Sequence, residues 1–163
     1  PVGRRTAAEV REKVGFLFNV PEDQLLFPRV IEDAAFGVLR RGVERKEAYR
    51  RAAAALDDLG VGKLAEWPLH HLSHGQKQRV ALAGALVTAP PLLLLDEPSA
   101  SLDPPGKRAL ARLLEGLSAA MLIATHDLEF AARIGRRFIA LDGGRVIYDG
   151  ADPGTVKRAW AMD

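Results

Sequence analysis

Two segments carry residues whose types and spacing suit the handling of a phosphate group. The first is residues 72–76, Leu-Ser-His-Gly-Gln, and the second is residues 92–98, four leucines followed by Asp-Glu-Pro. A Ser/Gly loop that opens a helix offers free N–H groups and the positive end of the helix dipole to an anion. A buried strand that ends in two adjacent carboxylates can hold a metal ion and activate water. Together the two segments predict a nucleotide-phosphate site.

Asp96 and Glu97 come where the leucine strand ends, and each suits a different part of phosphoryl transfer. Asp96 is well placed for Mg²⁺, held through water because this ion keeps much of its hydration. Glu97, partly desolvated, can act as the general base toward the attacking water. An isolated Asp-Glu pair would more simply cap a turn and point to solvent. After four leucines and before Pro98-Ser99, the catalytic interpretation is favoured.

Ser73 and Gly75 have both a structural and a functional interpretation. The Ser-His-Gly run could merely cap a helix in a tight turn. Alternatively, the Ser73 hydroxyl can donate to a phosphate, and the missing side chain of Gly75 lets the backbone approach it closely. The continuation over residues 77–86, Lys-Gln-Arg-Val-Ala-Leu-Ala-Gly-Ala-Leu, favours the phosphate interpretation.

His126 follows a second short apolar run, so it could face the same crevice as the two carboxylates. A neutral imidazole there could bond a γ-phosphate or hold the attacking water. A lone histidine is more often a hydrogen-bonded surface or core residue. Only the motifs near His126 favour a functional role for it. His70, His71 and His74 have no familiar ligand spacing and no acidic or cysteine partner, so we interpret them as loop residues rather than metal ligands.

Short apolar runs alternate with helical segments, which predicts an α/β sheet with functional groups beyond the carboxyl ends of its strands. Strands are predicted at residues 14–18, 92–95 and 121–124, the second buried on both faces and the third also buried. Helices are predicted within residues 30–71, over residues 76–86 and from Asp103-Pro104 onward, with Gly60 as a C-cap. A β-hairpin is predicted over residues 138–148.

Composition excludes several classes of function. Lys plus Arg number 23 and Asp plus Glu 21, and the net charge of +2 gives no electrostatic reason to propose a nucleic-acid partner. The sequence contains no cysteine, which excludes disulfides and thiolate metal sites. No apolar run approaches the length of a membrane span, so any membrane association is expected to come through a partner.

In their order along the chain, these motifs resemble the ATP-binding-cassette (ABC) ATPases. The likeness covers about residues 14–150 and implies an α/β fold of the P-loop NTPase type, a RecA-like core with a mostly parallel sheet. By that likeness, about residues 30–88 form the helical signature subdomain and about residues 89–163 the C-terminal part of the RecA-like core. Residues 1–163 would then be a partial ABC ATPase domain that lacks the N-terminal part of the fold.

The same resemblance assigns roles in ATP binding and hydrolysis, with ATP and Mg²⁺ as the implied cofactors. In chain order these are Asn19 at the Q-loop position, where the family normally has glutamine; Ser73, Gly75 and Gln76 in the signature motif; Asp96 in the Walker B strand; Glu97 as the catalytic glutamate; Asp103 in the D-loop at residues 101–103; and His126 as the switch histidine.

Within the family, three segments most resemble the cobalt/nickel and energy-coupling-factor vitamin importers. They are residues 14–18 (Val-Gly-Phe-Leu-Phe), 21–25 (Pro-Glu-Asp-Gln-Leu) and 32–37 (Glu-Asp-Ala-Ala-Phe-Gly), and the histidine in the signature points the same way. The resemblance implies an importer subunit at the cytoplasmic face of the cell membrane. Its implied partners are a second ABC ATPase subunit, closing head to tail over two ATP molecules, and transmembrane subunits.

The family's glycine-rich phosphate loop, with its lysine, is not found in these 163 residues. Residues 60–64, Gly-Val-Gly-Lys-Leu, lack the Ser/Thr after the lysine and a glycine at the right distance upstream. We therefore expect the sequence to be a fragment, a truncated reading frame or a protein without its first portion. In that form it is expected not to hydrolyse ATP alone.

Two other classes of function stay open. One is a soluble ABC ATPase of DNA repair or translation, but about fifty residues without sustained heptads separate Asn19 from Ser73, which favours a transporter over a coiled-coil protein. The other is a degenerate interaction module that cannot turn over ATP. The missing phosphate loop supports this module, whereas Asp96, Glu97 and His126 argue for an active enzyme.

Overall fold

The structure is a computed structural model, and it describes residues 6–160, which divide by their contacts into two compact units. The first unit runs to Ala124 and the second starts at Thr125. The first contains α1 (Ala7–Lys13), β1 (Val14–Leu17), α2 (Val30–Leu39), α3 (Arg45–Asp58), α4 (His74–Leu86), β2 (Leu92–Asp96), α5 (Pro104–Glu115) and β3 (Ala120–Ala124). Its short 3₁₀ turns are Pro21–Asp23, Gly62–Leu64 and Leu69–His71.

A three-stranded parallel sheet in the order β1-β2-β3 forms the centre of the first unit. Leu17 pairs with Leu95 in the register of β1 with β2, and Asp96 pairs with Ala124 in that of β2 with β3. Because the strands are parallel, their carboxyl ends lie at one edge of the sheet. The predicted strands are therefore confirmed, and the carboxylates emerge at the edge where an α/β fold collects its functional groups.

The two faces of this sheet differ in burial, which corrects the prediction of fully buried strands. Leu17, Leu93 and Leu95 are at most 2% exposed and point to the core. On the opposite face Phe16 is 41% and Leu122 64% exposed, and every residue of β3 is exposed or half-buried. The prediction that β2 is buried on both faces and that β3 is buried was wrong, because this second face lacks a full covering layer within residues 6–160.

The predicted helical region contains α2 and α3, which pack on α4. Their buried faces consist of small and aliphatic side chains: Val30, Ile31, Ala34, Ala35 and Val38 on α2, and Ala48, Ala52 and Leu56 on α3. The spacing of these residues matches the helical period that predicted the region.

The end of α3 confirms the predicted C-cap. Gly60 adopts a φ of +70°, in the left-handed region that glycine occupies without steric cost. Its N–H donates to the Asp57 carbonyl at 2.9 Å, and the Val61 N–H donates to the Leu56 carbonyl at 2.9 Å. This pair of bonds is the Schellman arrangement, which satisfies the last helical carbonyls.

The second unit contains α6 (Leu128–Ile134), β4 (Phe138–Asp142), β5 (Arg145–Gly150) and α7 (Pro153–Trp160). β4 and β5 pair antiparallel around Gly143 and Gly144, so the predicted hairpin is confirmed. Arg137 and Asp149 form an ion pair at 2.6 Å across the hairpin. Its helices α6 and α7 were not predicted; they have only seven and eight residues, so each offers few turns for a helical pattern to repeat.

Two further predictions concern the chain as a whole. The boundaries proposed for the helical subdomain and the core, near residue 88, stay a prediction, because compactness divides the chain elsewhere, after Ala124. Among the helices of residues 6–160, none is both long and apolar enough to cross a membrane.

Candidate functional site

Asp96 and Glu97 lie at the carboxyl end of β2, where both side chains are half-buried. Asp96 is the last residue of the strand and Glu97 is the first beyond it. The Glu97 N–H donates to the Ala124 carbonyl at the end of β3, at 2.9 Å, and so extends the strand pairing by one bond. The pair therefore sits on the sheet edge that the sequence predicted, with one carboxylate on the strand and one just past it.

Glu97 has an unusual backbone conformation, with a φ of +47°. A left-handed conformation at a residue with a side chain costs about 1–3 kcal/mol and persists only where the surroundings hold it. Here the Glu97 carbonyl accepts two hydrogen bonds, from the Ala100 N–H at 3.2 Å and from Gln78 Nε2 at 2.8 Å. Pro98 and Ser99, which follow, are both buried. Hydrogen bonds thus hold both the N–H and the carbonyl of Glu97.

Ser73 is the N-cap of α4 and forms a capping box with Gln76. The Gln76 N–H donates to Ser73 Oγ at 3.4 Å, and the Ser73 N–H donates to Gln76 Oε1 at 2.8 Å. The structural interpretation of the Ser-Gly run is therefore correct as far as the helix start is concerned. It is also compatible with the functional one, because a hydroxyl that accepts through Oγ still has a proton to donate.

Gly75 is explained in the first instance by a close backbone contact. A Cβ atom at this position would lie 2.8 Å from the carbonyl oxygen of Ser101, in the loop after β2. Any side chain would push the first turn of α4 away from that loop. The structure thus brings the signature-like segment against Ser101, and approach of Gly75 to a phosphate stays a prediction.

The sequence analysis interpreted all three histidines near α4 as loop residues, but the structure places one of them in the helix. His70 and His71 belong to the 3₁₀ turn Leu69–His71, but His74 is the first residue of α4. Its Nδ1 lies 3.5 Å from Glu22 Oε2, and Lys77 Nζ lies 2.8 Å from Glu22 Oε1. The hydrogen bond from Lys77 is the main reason why the pKa of Glu22 is lowered. These contacts tie α4 to the turn after β1.

Asn19 lies in the exposed stretch that follows β1, at the predicted Q-loop position. The nearby side chain that makes structural contacts is Gln24, which the sequence reasoning missed. The Phe18 N–H donates to Gln24 Oε1 at 3.1 Å, and Gln24 Nε2 donates to the Ala81 carbonyl of α4 at 3.1 Å. No spacing rule singles out Gln24, because its partners are the residue just after β1 and a residue of a helix distant in sequence.

Asp103 is the N-cap of α5, as its position before Pro104 predicted. Its Oδ1 accepts a hydrogen bond from the Gly106 N–H at 3.0 Å, and the side chain is exposed. This contact fixes the start of the helix. A role of Asp103 in binding ATP stays a prediction.

His126 is an exposed residue of the second unit, between β3 and α6. The residues beside it are ordered by local hydrogen bonds. The Asp127 N–H donates to Thr125 Oγ1 at 3.0 Å, and Asp127 caps α6 by accepting from the Phe130 N–H at 3.0 Å. The predicted approach of His126 to the carboxylates stays a prediction.

The donors of the first unit fit magnesium and phosphate in their chemistry. Asp96 supplies a hard carboxylate oxygen, and Mg²⁺ is commonly held by one or two carboxylates together with water and substrate phosphates. Within residues 6–160, no group of three His, Asp or Glu side chains is arranged to hold a metal on its own. The metal would therefore rest on Asp96, water and the nucleotide. Residues 60–64 follow a helix and include a 3₁₀ turn, so they lack the strand–loop–helix setting of a phosphate loop.

Residues 1–100 match the family model described as ABC transporter. A protein of Streptomyces avermitilis named as an ABC transporter ATP-binding protein is 44% identical over 150 residues, which are 92% of this chain and 57% of that protein. The energy-coupling factor transporter ATP-binding protein EcfA of Carboxydothermus hydrogenoformans is 38% identical over 152 residues, 91% of this chain and 56% of EcfA. The chain thus spans little more than half the length of these relatives.

Two solved structures share the fold. One is cbiO1 from Clostridium perfringens, part of the ABC transporter complex cbiONQ, with a TM-score of 0.81 and 35% identity over 98% of this chain and 65% of that one. The other is a dimeric ATP-binding cassette in a post-hydrolysis state, bound to ADP and Pi. Its TM-score is 0.84, with 27% identity over 92% of this chain and 68% of that one. The α/β fold of the P-loop ATPases is therefore the fold of this chain.

Proposed function

This chain belongs to the ABC transporter family, and on that premise we propose that it is part of the ATP-hydrolysing subunit of an importer. The observation that carries the proposal is the pair Asp96 and Glu97 at the carboxyl end of β2, with Glu97 held in a left-handed backbone. A strand end with one carboxylate for a metal and one for water is what phosphoryl transfer requires.

Within this proposal each carboxylate has one task. Asp96 holds Mg²⁺ through water, and the ion neutralises charge on the phosphates when it is bound. Glu97 accepts a proton from the attacking water, a contribution typical of a positioned general base. His126, in the segment between β3 and α6, bonds the γ-phosphate or the attacking water. Asn19 and Asp103 contact the nucleotide or the water around it.

The signature-like segment would act across a dimer. Ser73, Gly75 and Gln76 lie at the N-terminus of α4, a 13-residue helix whose first N–H groups favour an anion. These residues of one subunit would complete the ATP site that contains the phosphate loop of another. The similarity to a dimeric cassette bound to ADP and Pi supports this arrangement. ATP-driven closure and hydrolysis would then move transmembrane subunits at the cytoplasmic face of the membrane.

The cargo we propose is a metal ion such as cobalt or nickel, or a vitamin. The support is the similarity to cbiO1 and to EcfA, which is named as part of an energy-coupling factor transporter. Residues 14–18, 21–25 and 32–37, which first indicated this subfamily, surround the end of β1 and the start of α2. In such a transporter the transmembrane subunits, rather than this chain, would select the cargo.

The test is the Glu97→Gln variant of a full-length ATPase that contains these residues together with a phosphate loop. We expect ATP turnover to fall by about 10²–10⁴-fold, because a neutral amide cannot accept the proton of the attacking water. The affinity for Mg-ATP should be preserved, since the shape and size of the side chain are nearly unchanged. Phosphate release and nucleotide titration measure the two quantities.

The matched control is Glu129→Gln, an exposed glutamate in the first turn of α6 with no assigned role. This variant should hydrolyse ATP at the rate of the parent. Near-normal turnover of Glu97→Gln would show that Glu97 is not the general base, and the proposed reaction would lose its central residue.

A further inference from the structure

Gln78 is a buried polar residue for which the sequence analysis predicted no role. It lies on α4, one turn after the residues at the start of the helix, and is 2% exposed. Its Nε2 donates to the main-chain carbonyl of Glu97 at 2.8 Å. Its Oε1 is buried and has no hydrogen-bond partner within the residues that the structure describes. Only one end of this amide is therefore used in the described structure, and that end contacts Glu97.

This arrangement is hard to explain by stability alone. A buried amide with an unsatisfied oxygen is less favourable than an apolar side chain of the same shape, because the oxygen loses its hydration without compensation. Leu82, one turn further along α4, shows that a fully apolar side chain is accommodated on this helix. The hydrogen bond to Glu97 is therefore the feature that distinguishes Gln78 from a core residue.

The bond acts on the residue with the unusual backbone. Glu97 has a φ of +47° and its N–H is fixed to the Ala124 carbonyl at 2.9 Å. On the other side of Cα, the Glu97 carbonyl accepts a hydrogen bond from Gln78 Nε2 at 2.8 Å. It also accepts a longer one, at 3.2 Å, from the Ala100 N–H. Because Cα lies between these two groups, fixing both of them fixes the direction of the Cα–Cβ bond from which the carboxylate extends.

We propose that Gln78 is a positioning residue that holds the Glu97 backbone, and with it the carboxylate, in the orientation needed for catalysis. The inference rests on the proposed function, in which Glu97 is the general base. It adds that the amide on α4, rather than the strand alone, sets the geometry of that base. A displacement of about 1 Å in a reacting group costs up to about 10²-fold in rate. The effect of losing Gln78 is therefore a reduced kcat and not reduced binding of ATP.

The experiment compares Gln78→Met with the parent in a full-length ATPase that contains these residues and a phosphate loop. Methionine has a similar length but no donor for the Glu97 carbonyl. We expect kcat to fall by about 10- to 100-fold, while the KM for ATP and the thermal midpoint stay close to those of the parent. Leu82→Met is the matched control on the same buried helix and should keep the parent's kcat.

A second variant, Gln78→Leu, keeps an apolar side chain of similar size and has no donor for the Glu97 carbonyl. It should lose at least as much kcat as Gln78→Met, and it decides the question if Gln78→Met is poorly folded. Loss of folding in both variants would make Gln78 a core residue and overturn the proposal, as would an unchanged kcat in a folded variant.

A double variant separates this proposal from the proposed function. If Gln78 acts through Glu97, adding Gln78→Met to Glu97→Gln should cause no further loss of turnover beyond that of Glu97→Gln alone. Full additivity of the two losses would show that Gln78 acts elsewhere. Normal turnover in Glu97→Gln by itself would instead contradict the role of Glu97, whatever Gln78 does.

Discussion

At the scale of single residues, several side chains of the candidate site also stabilise the fold. Ser73 and Asp103 are helix N-caps, and removing a cap of this kind costs about 0.5–2 kcal/mol. Gln76 completes the capping box at Ser73. A substitution at any of these positions therefore changes stability as well as any contact with a nucleotide. Glu97, Asn19 and His126 are not caps, so their variants report on chemistry more directly.

On its proposed role of orienting the water or the γ-phosphate, His126→Ala is expected to lower ATP turnover by about 10²-fold in a full-length ATPase that contains these residues. Stability should change little, since His126 is exposed. His70→Ala, which removes another exposed histidine, is the control and should retain the parent's rate. Steady-state phosphate release measures both. An unchanged rate in His126→Ala would return this residue to a structural role.

At the scale of elements, α4 connects the ends of two strands. Gln78 reaches the residue after β2, and the Ala81 carbonyl accepts from Gln24, which in turn holds the end of β1. Four consecutive residues of α4, Val80 to Ala83, are buried. A helix that is buried on more than one face packs against several elements at once. The sequence predicted this helix, whereas its burial on more than one face is seen only in the structure.

Asp33 plays a comparable part at the start of α2. Its Oδ1 accepts from the Leu26 N–H at 2.7 Å and from the Phe27 N–H at 3.0 Å, so it orders the loop before the helix. Burial raises the pKa of this carboxyl above its ordinary value of 3.8, although the two backbone bonds act in the opposite direction. The folded state therefore holds the Asp33 proton more tightly than the unfolded chain does.

This sign gives a prediction for the pH dependence of stability. Asp33 should make the free energy of unfolding fall as pH rises from 3.8 through the raised pKa, because the folded state binds more protons in that interval. Asp33→Asn removes this contribution, and its stability should decline less over the same range. Asp33→Ala should be less stable than Asp33→Asn by about 1 kcal/mol, because two N–H groups lose their acceptor.

Urea unfolding of the parent and the two variants measures these differences. It is carried out between pH 4 and about 7, the range that begins near the ordinary pKa of a carboxyl group. Equal pH slopes in the parent and in Asp33→Asn would contradict the raised pKa. Equal stability of the alanine and asparagine variants would show that the bonds to Leu26 and Phe27 do not stabilise the loop.

At the scale of the whole molecule, an apolar face of the sheet is open to solvent. Phe16 is 41% and Phe18 46% exposed, and their rings lie 4.6 Å apart. Leu122, on the same face as Phe16 two strands away, is 64% exposed. Contiguous apolar surface and unpaired strand edges favour association between chains. The isolated 163-residue chain is therefore expected to associate with itself.

The isolated chain is also expected not to hydrolyse ATP. In the proposed roles, the carboxylates, Ser73 and His126 would each contact the phosphates or the attacking water, whereas successive backbone N–H groups and a lysine are needed to hold the β- and γ-phosphates. Each charge-assisted bond of that cradle contributes roughly 1.5–3 kcal/mol, so losing several removes many decades of affinity. Calorimetric titration with Mg-ATP, with a phosphate-release assay, is the measurement. Micromolar binding with phosphate release would reveal a phosphate site elsewhere in this chain.

The sequence by itself determined the elements whose signals are local. Four leucines predicted β2, Asp103-Pro104 predicted the start of α5, and Gly60 predicted the end of α3, because period, capping and φ preference act over a few neighbouring residues. The order of the motifs also identified the family and the fold. What local signals could not give was burial, since the open face of β3 depends on which layers cover the sheet.

The way in which the backbone of Glu97 is held could be seen only in the folded protein. The hydrogen bond from Gln78 to the Glu97 carbonyl joins a helix to a strand end 19 residues away, and the bridge from Gln24 to Ala81 spans 57 residues. The left-handed φ of Glu97 is likewise imposed by its partners rather than favoured by its residue type. Such contacts pair common side chains with main-chain groups, which every residue possesses, so no residue pattern marks them. They exist because packing brings α4 against the carboxyl edge of the sheet.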